Sequence, residues 1–435
     1  MTDAIPCRIL LLPNGNILAR VTRLLALAGE LASPGHEVLF AGDGKYMSLA
    51  LSQGYPVYPL ITLTEEDLRQ VSEQSGVRYY TEESLGEAVR EERELFERLK
   101  PDILISDFRI SVSLSSRIAG LFHATLINST STSYAAGPLD APDTFPLLEL
   151  VLKATDTAPG FIGRPLLAAV RSIARIVMPP VKGLMLRRAN RPFNRLCRLH
   201  GLKGTRDLHE TWADADCVIV PDLPAYSGLK PSTPQRFHMV GPLVWEFPTR
   251  CTGGWADIRS RLRPDRKTVY VTMGSMGARE YLYEAIAFFG SLRDIQCILS
   301  TAGIIDPPSE VPENVFLADF VPGREAMELC DAVICQGGNG TIYQAIQAGI
   351  PIIGIPVIHD QIWNMSSVER LGIGVSIGHV LYTREKLREA LETVMTRRDQ
   401  YVSRIERLRE RGEGLDGSRK AAQIILKRYQ EFLRN

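Results

Sequence analysis

The chain has 435 residues, 45% of them hydrophobic and 23% charged, which is ordinary globular material with enough apolar content for two full cores. Fifty basic residues offset fifty acidic ones, so no global field favours nucleic acid or a membrane, and partners have to be read from local sites. Seven cysteines (Cys7, Cys197, Cys217, Cys251, Cys297, Cys330 and Cys335) form no C-x-x-C pair, and the seven histidines show no metal-ligand spacing, which together fit free thiols in a reducing cytoplasm. The opening MTDAIPCRILLLP has too short an apolar run for a signal peptide, and no run is long enough to span a membrane, so a cytoplasmic location is expected.

In chain order, Cys7–Pro13 reads as a buried strand, Ala19–Ala32 as a helix with apolar residues on one face, and His36–Ala41 as a second strand, a βαβ start. Glu65–Glu97 is acidic with interspersed Arg and reads as a solvated helical face. The run Pro101–Asp107 is a strand ending in a carboxylate, which falls on the ligand edge of an open α/β sheet or serves as a helix cap. After the strand Ala124–Asn128, the Ser/Thr/Gly/Pro-rich run Ser129–Pro146 reads as a long loop.

Between Gly160 and Gly201 there are nine basic residues and no Asp or Glu, with apolar residues at helical spacing and Pro179–Pro180 breaking the run. Such a segment either lies on an anionic membrane or an acidic substrate, or packs on the core with its Arg residues paired to the acidic stretch. Cys217–Val220 and Phe237–Val240 are the last strands of a first domain over 1–240, and 241–262, with its Pro and Gly, reads as a linker. A second domain over 263–415 repeats the strand–helix alternation, from Thr268–Thr272 to Gly374–Ile377, and an amphipathic helix fills 416–435.

The richest stretch is Cys335 to Asn364, CQGGNGTIYQAIQAGIPIIGIPVIHDQIWN. It leaves a buried strand through Gly337, Gly338 and Gly340, which let backbone approach a ligand, and enters a helix whose first free N–H groups suit an anion. Gly349 stops that helix, and a second strand delivers Asp360 and Gln361 to the same sheet edge.

This stretch resembles the nucleotide-sugar motif of GT-B glycosyltransferases, in particular family 1, the UDP-glycosyltransferase and macrolide-glycosyltransferase group, at Gly337, Gly338, Gly340, Thr341, Gly349, Pro351, Pro356, Asp360, Gln361 and Asn364. The resemblance implies an α/β fold of two doubly wound Rossmann-like domains facing a central cleft, with the last helix crossing back to the first domain. It implies donor phosphate contacts at Ser275, Gln336, Gly337, Gly338, Asn339, Gly340 and Thr341. Base and ribose would be held at Phe320, Val321 and Gln344, and the sugar at Asp360 and Gln361. Acceptor contacts are expected in the loop after Asn128. Two positions depart: Gln336 replaces a His that contacts the donor phosphate, and Gln344 a Glu that holds the ribose.

A third departure concerns the reaction itself. Counting back from Gly35–Val38 puts Arg20 where the family has its general-base His, and a guanidinium stays protonated. Asp107 matches the Asp that orients that His. The resemblance implies inverting, metal-independent transfer from a nucleoside-diphosphate sugar to a small natural-product-like acceptor, with no resident cofactor. Asp107 or Asp360 would act as base, or an acidic acceptor would need little, in which case Arg20 becomes the partner of its anion. The alternatives are a protein of this fold that has lost transfer and only binds nucleotide sugars or assists a partner, and a sugar epimerase on the same fold.

Overall fold

A computed structural model of the chain describes residues 6–32, 35–64, 67, 80–136, 169, 173, 177, 179–247, 254–275, 278–410 and 417–434. The chain divides into two compact units: Met1–Gly137, Val177–Trp245 and Asp416–Asn435 form the first, and Pro138–Ile176 with Glu246–Leu415 the second.

Unit 1 is built on a seven-stranded sheet of β1 (Arg8–Leu12), β2 (Glu37–Ala41), β3 (Val57–Tyr58), β4 (Ile103–Asp107), β5 (Phe122–Leu126), β6 (Cys217–Val220) and β7 (Phe237–Met239). The order is β3-β2-β1-β4-β5-β6-β7 and every pair is parallel, with Leu12 opposite Ser106 at the centre. The strands β1, β4, β5 and β6 are almost continuously buried, as strands covered by helices on both faces must be. Its helices are α1 (Leu18–Ala32), α2 (Met47–Ser52), α3 (Glu82–Leu99), α4 (Ile110–Ala119), α5 (179–189), α6 (Arg191–Leu199) and α7 (Leu208–Trp212).

Unit 2 carries a second parallel sheet of β8 (Lys267–Thr272), β9 (Ile295–Ser300), β10 (Val315–Ala318), β11 (Ala332–Cys335), β12 (Ile352–Gly354) and β13 (Gly374–Ser376), in the order β10-β9-β8-β11-β12-β13. Its helices are α8 (Trp255–Arg261), α9 (Glu280–Gly290), α10 (Gly323–Glu328), α11 (Asn339–Ala348), α12 (His359–Leu371), α13 (Arg384–Thr396) and α14 (Arg398–Glu410). The final helix α15 (Gly417–Phe432) belongs to unit 1, packing on α1 and setting Tyr429 edge-on to Phe122 at 5.6 Å.

In both sheets the strand order reverses at one place, between β1 and β4 and between β8 and β11. Ligands of open α/β sheets bind beyond the carboxyl ends of the strands at such a reversal. Among the described residues, no helix is long and apolar enough to cross a membrane.

Three readings of the sequence change here. The stretch expected as linker, 241–262, contains α8 from Trp255 to Arg261, while 248–253 lie outside the described residues. The pair Pro179–Pro180 lies in helical backbone, and Val177 before it is helical too, so the break expected there is not seen among the described residues. The acidic face of α3 is not wholly solvated. Glu92 is fully buried, taking Arg109 Nε at 2.7 Å, Ser111 Oγ at 2.5 Å and Ser115 Oγ at 2.6 Å. The reason is position: Glu92 falls in the stripe of Leu85, Val89, Leu95, Phe96 and Leu99 that α3 turns to the core, so it needs an internal cation. The loop reading over Ser129–Pro146 is met by a short 3-10 turn at Ser129–Ser131, and 137–146 lie outside the described residues.

Candidate active site

The carboxyl edge of unit 2 assembles the glycine-rich stretch as follows. Gly337 leaves β11 with φ of +88°, a conformation that side chains other than glycine's resist, and its carbonyl accepts from Asn364 Nδ2 at 2.9 Å. A Cβ at Gly337 would stand 2.8 Å from Met365 Cγ and 3.0 Å from the Gln361 carbonyl. Gly338 is the extended residue before α11, and Asn339, Gly340 and Thr341 form its first turn, whose N–H groups have no intrahelical acceptor. A Cβ at Gly340 would meet nothing within 4 Å, so the space beside that residue is open.

Beside it, β8 ends in the turn Met273–Gly274–Ser275, with Gly274 at φ +55° and Ser275 half-buried. The side chain of Gln336 lies across both turns. A Cβ on Gly274 would collide with its Nε2, and one on Gly338 would stand 3.0 Å from the same atom. Gln336 is 7% exposed, yet its Oε1 has no hydrogen-bond partner. Buried polar atoms are nearly always paired, so this oxygen, beside the reversal of the sheet, is available to a further partner. Either end of the amide serves, since its oxygen and nitrogen can exchange by a flip.

The other residues expected on this edge divide into two groups. Asp360 sits half-buried in the first turn of α12, where the helix dipole favours a carboxylate. Gln361 is 3% exposed and has an internal duty, its Oε1 accepting the backbone N–H groups of Val357 at 2.9 Å and Ile358 at 3.2 Å. Further along, Phe320 stacks on Phe247 with ring centroids 4.8 Å apart, and Val321 is buried. Gln344 donates from Nε2 to Glu246 Oε1 at 3.4 Å. Glu246 also accepts the Arg324 backbone N–H at 3.3 Å, and burial pushes its carboxyl pKa up. Sequence reasoning missed Glu246 and Phe247, which lie in a polar, Pro-containing connector with no periodic signal.

At the carboxyl edge of unit 1 the arrangement is ionic. Asp107, fully buried at the end of β4, takes Arg23 Nη2 on Oδ1 at 2.7 Å and Arg23 Nε on Oδ2 at 2.9 Å. Arg23 Nη1 reaches Asn128 Oδ1 at 2.6 Å, tying β4 to the end of β5. Burial pushes the Asp107 pKa up, against the pull of the Arg23 and Arg20 guanidinium groups. Asp107 is not a helix cap: α4 has Arg109 at its N-cap position with no side-chain bond. The partner of Asp107 is thus Arg23, one turn beyond the position expected for a base.

Arg20 lies over the Phe108 ring at 5.0 Å. Phe108 holds φ of +53°, a strained value for an aromatic residue, and meets Trp212 edge-on at 5.5 Å. Trp212 in turn stacks on His209, whose pKa burial lowers to about 4, keeping it neutral. The surface beside Asp107 therefore combines two guanidinium groups with aromatic rings.

Comparison with known proteins agrees with this geometry. Residues 294–413, which hold the glycine turn, match the erythromycin biosynthesis protein CIII-like C-terminal domain. A PGL/p-HBAD biosynthesis rhamnosyltransferase of Mycobacterium bovis (strain BCG / Pasteur 1173P2) is 30% identical over 400 residues, covering 90% of this chain and 81% of the relative. Among solved structures, the glycosyltransferase of kitacinnamycin superposes with a TM-score of 0.68 at 20% identity over 97% of this chain and 99% of that one. The spinosyn rhamnosyltransferase, solved with thymidine diphosphate, superposes at 0.62 with 19% identity, covering 98% and 100%. Two parallel sheets in the same order, the glycine turn at the second reversal and a relative at this identity over nine-tenths of the chain place it in family 1 of the GT-B glycosyltransferases.

Proposed function

We propose that the chain transfers a sugar from a nucleoside-diphosphate sugar to the hydroxyl of a small natural-product acceptor, with inversion at the anomeric carbon. The acceptor oxygen forms a bond to that carbon as the bond to the diphosphate breaks, and the nucleoside diphosphate leaves with the electron pair. The observation that carries this reading is the buried Gln336 amide, its Oε1 unpaired, laid across the glycine turn after β8 and the one that starts α11. Its Nε2, the first-turn N–H groups of α11 and Ser275 are preorganised donors for the departing oxyanion, and they supply that stabilisation without a bound metal. Asp360 offers an acceptor for sugar hydroxyls, whereas the Gln361 oxygen is committed to backbone.

Base and ribose fall to Phe320, Val321 and Gln344, the last acting beside Glu246. On the acceptor side, Asp107 is clamped by Arg23 and poorly suited to collect a proton. That favours an acceptor whose hydroxyl is acidic, such as a phenol, which gives its proton to solvent before attack, with Arg20 meeting the resulting anion. A rhamnose carried on thymidine diphosphate is the first donor to try, because the Mycobacterium relative is a rhamnosyltransferase.

The competing reading, a nucleotide-sugar-binding protein without transfer, draws on Arg20 and Gln336 standing where histidines are expected. Thermal unfolding with UDP, TDP and TDP-rhamnose, followed by turnover with a phenol, separates the two. A nucleotide at 100 times its dissociation constant stabilises the native state by about 2.7 kcal/mol. No shift with any nucleotide at millimolar concentration overturns the donor site, and a shift without turnover of any phenol leaves binding alone.

A further inference from the structure

The segment after residue 176 presents an unusual outer face. The backbone runs from α5 into α6 without losing its helical hydrogen bonds, Asn190 N–H reaching the Leu186 carbonyl at 3.2 Å and Asn194 N–H the Asn190 carbonyl at 3.1 Å. Its inner face is spent on the core: Leu186, Ala189, Phe193, Leu196 and Cys197 pack with Leu85 and Val89 of α3 and with Ile110 and Leu114 of α4.

At about 100° per residue, Val177, Val181, Leu184, Arg188, Arg191, Arg195 and Leu199 fall within about 40° of one line on the opposite side. The structure exposes all of them, the apolar ones strongly: Val177 at 49%, Val181 at 41%, Leu184 at 50% and Leu199 at 73%. Arg187 and Arg198 border the stripe and are exposed too. Residues 160–201 contain no acid, and the neighbouring helix α3 supplies one partner, Glu82, to Arg195 at 3.1 Å. Among the described residues, Arg187, Arg188 and Arg191 have no carboxylate partner.

We propose that this face seats unit 1 on the surface of an anionic lipid bilayer, with α5 and α6 lying in the plane of the interface. Val177, Val181, Leu184 and Leu199 enter the boundary between headgroups and acyl chains, while the arginines meet lipid phosphates. The chemistry is what distinguishes a bilayer from another occupant. A protein partner would bury a closed apolar patch, whereas here isolated aliphatic side chains share one line with guanidinium groups, of which Arg188 and Arg191 have no carboxylate partner among the described residues, the pattern of helices that lie on anionic membranes. Guanidinium groups hold phosphates in a bidentate fork, and their stems bury alongside apolar residues. The surface is independent of the nucleotide reading, since no residue of the glycine turn takes part.

Flotation of the full chain with vesicles tests it. Recovery is expected with vesicles of phosphatidylglycerol and phosphatidylcholine, to fall steeply as salt rises, and to be near zero with phosphatidylcholine alone. Val181→Asp with Leu184→Asp is expected to lower partitioning about tenfold or more. Arg188→Glu and Arg191→Glu should each lower it about fivefold or more. All four positions are exposed, so the variants should match the parent in thermal unfolding, which confirms that they fold. No recovery on anionic vesicles at low salt, equal recovery on neutral ones, or full recovery of the variants overturns the proposal. Sedimentation velocity supplies a further refutation: an oligomer of the parent that the same substitutions dissolve assigns the face to a contact between copies.

Discussion

The two sheets reverse at equivalent points in their strand order, β1 beside β4 and β8 beside β11, yet their carboxyl edges are filled in opposite ways. In unit 1 the carboxylate at the end of β4 is saturated from within, both oxygens of Asp107 held by Arg23 and the third guanidinium nitrogen held by Asn128. In unit 2 the residue after β11 is a neutral amide with an unpaired oxygen, flanked by glycines and by the first-turn N–H groups of α11, which have no intrahelical acceptor. An edge that satisfies its own charges keeps its shape without a ligand. An edge that leaves a buried polar atom unpaired keeps a hydrogen-bonding position open for one.

The largest expected effect comes from breaking the self-satisfied edge. Arg23→Ala would leave Asp107, fully buried, with no bidentate cation, and removing one partner of a buried ion pair costs about 3 to 5 kcal/mol. The double change Arg23→Met with Asp107→Leu removes both charges and should recover most of that loss, because the desolvation of the carboxylate disappears with it. Urea denaturation of the three proteins checks this. If the single variant loses less than about 1 kcal/mol, the size of an exposed pair, the contact is not the tie between β4 and β5 that its geometry suggests.

The same comparison explains what the sequence could show. The glycine turn was legible because every element of it is local: an apolar strand, three glycines within four residues, a helical run and a second strand. The parallel sheets follow from the same strand–helix alternation. The ionic edge was not legible, because Arg23 meets Asp107 across 84 residues and Asn128 across 105, and no local pattern records such a pairing. Glu246 beside Gln344 is separated from it by 98 residues. Glu92 did leave a trace, since it occupies a core position of the α3 stripe, but its cation lies on the next helix and its burial follows only from the packing of the two.

Unit 1 also buries histidines, which gives it a dependence on pH. His123 is 1% exposed in β5, its Nε2 bonded to Ser106 Oγ at 2.8 Å, and burial lowers its pKa from 6.5 to about 3. His209 is lowered to about 4 for the same reason. Above pH 6.5 the folded and unfolded chains both carry these rings neutral, so their contribution is complete. As pH falls through 6.5 the unfolded chain takes up protons that the folded one refuses, and stability declines by up to about 1.4 kcal/mol per pH unit for each ring. His123→Gln retains a hydrogen-bonding amide and cannot titrate, so its urea midpoint should fall less steeply than the parent's between about pH 6 and 4. Parallel slopes would show that the His123 ring is protonated in the folded state.

The smallest change in stability, and the sharpest test of the edge in unit 2, comes from two glycines three residues apart. Gly337→Ala forces a Cβ onto a backbone at φ +88° and against Met365 and the Gln361 carbonyl, which should cost about 1 to 3 kcal/mol and loosen the turn that Asn364 holds. Gly340→Ala places its Cβ in open space within α11, where alanine is the better helix former, so stability should stay within about 0.5 kcal/mol or rise. Its effect is reserved for the ligand. If the first turn of α11 receives a diphosphate, the added methyl occupies the space the phosphate needs, and the nucleotide-induced rise in melting temperature should be lost while the melting temperature of the unliganded protein is kept. A Gly340→Ala protein that retains the full nucleotide shift would remove that turn from the phosphate site, even if Gly337→Ala abolished binding, because loss at Gly337 follows from a broken turn whereas loss at Gly340 follows only from contact with the ligand.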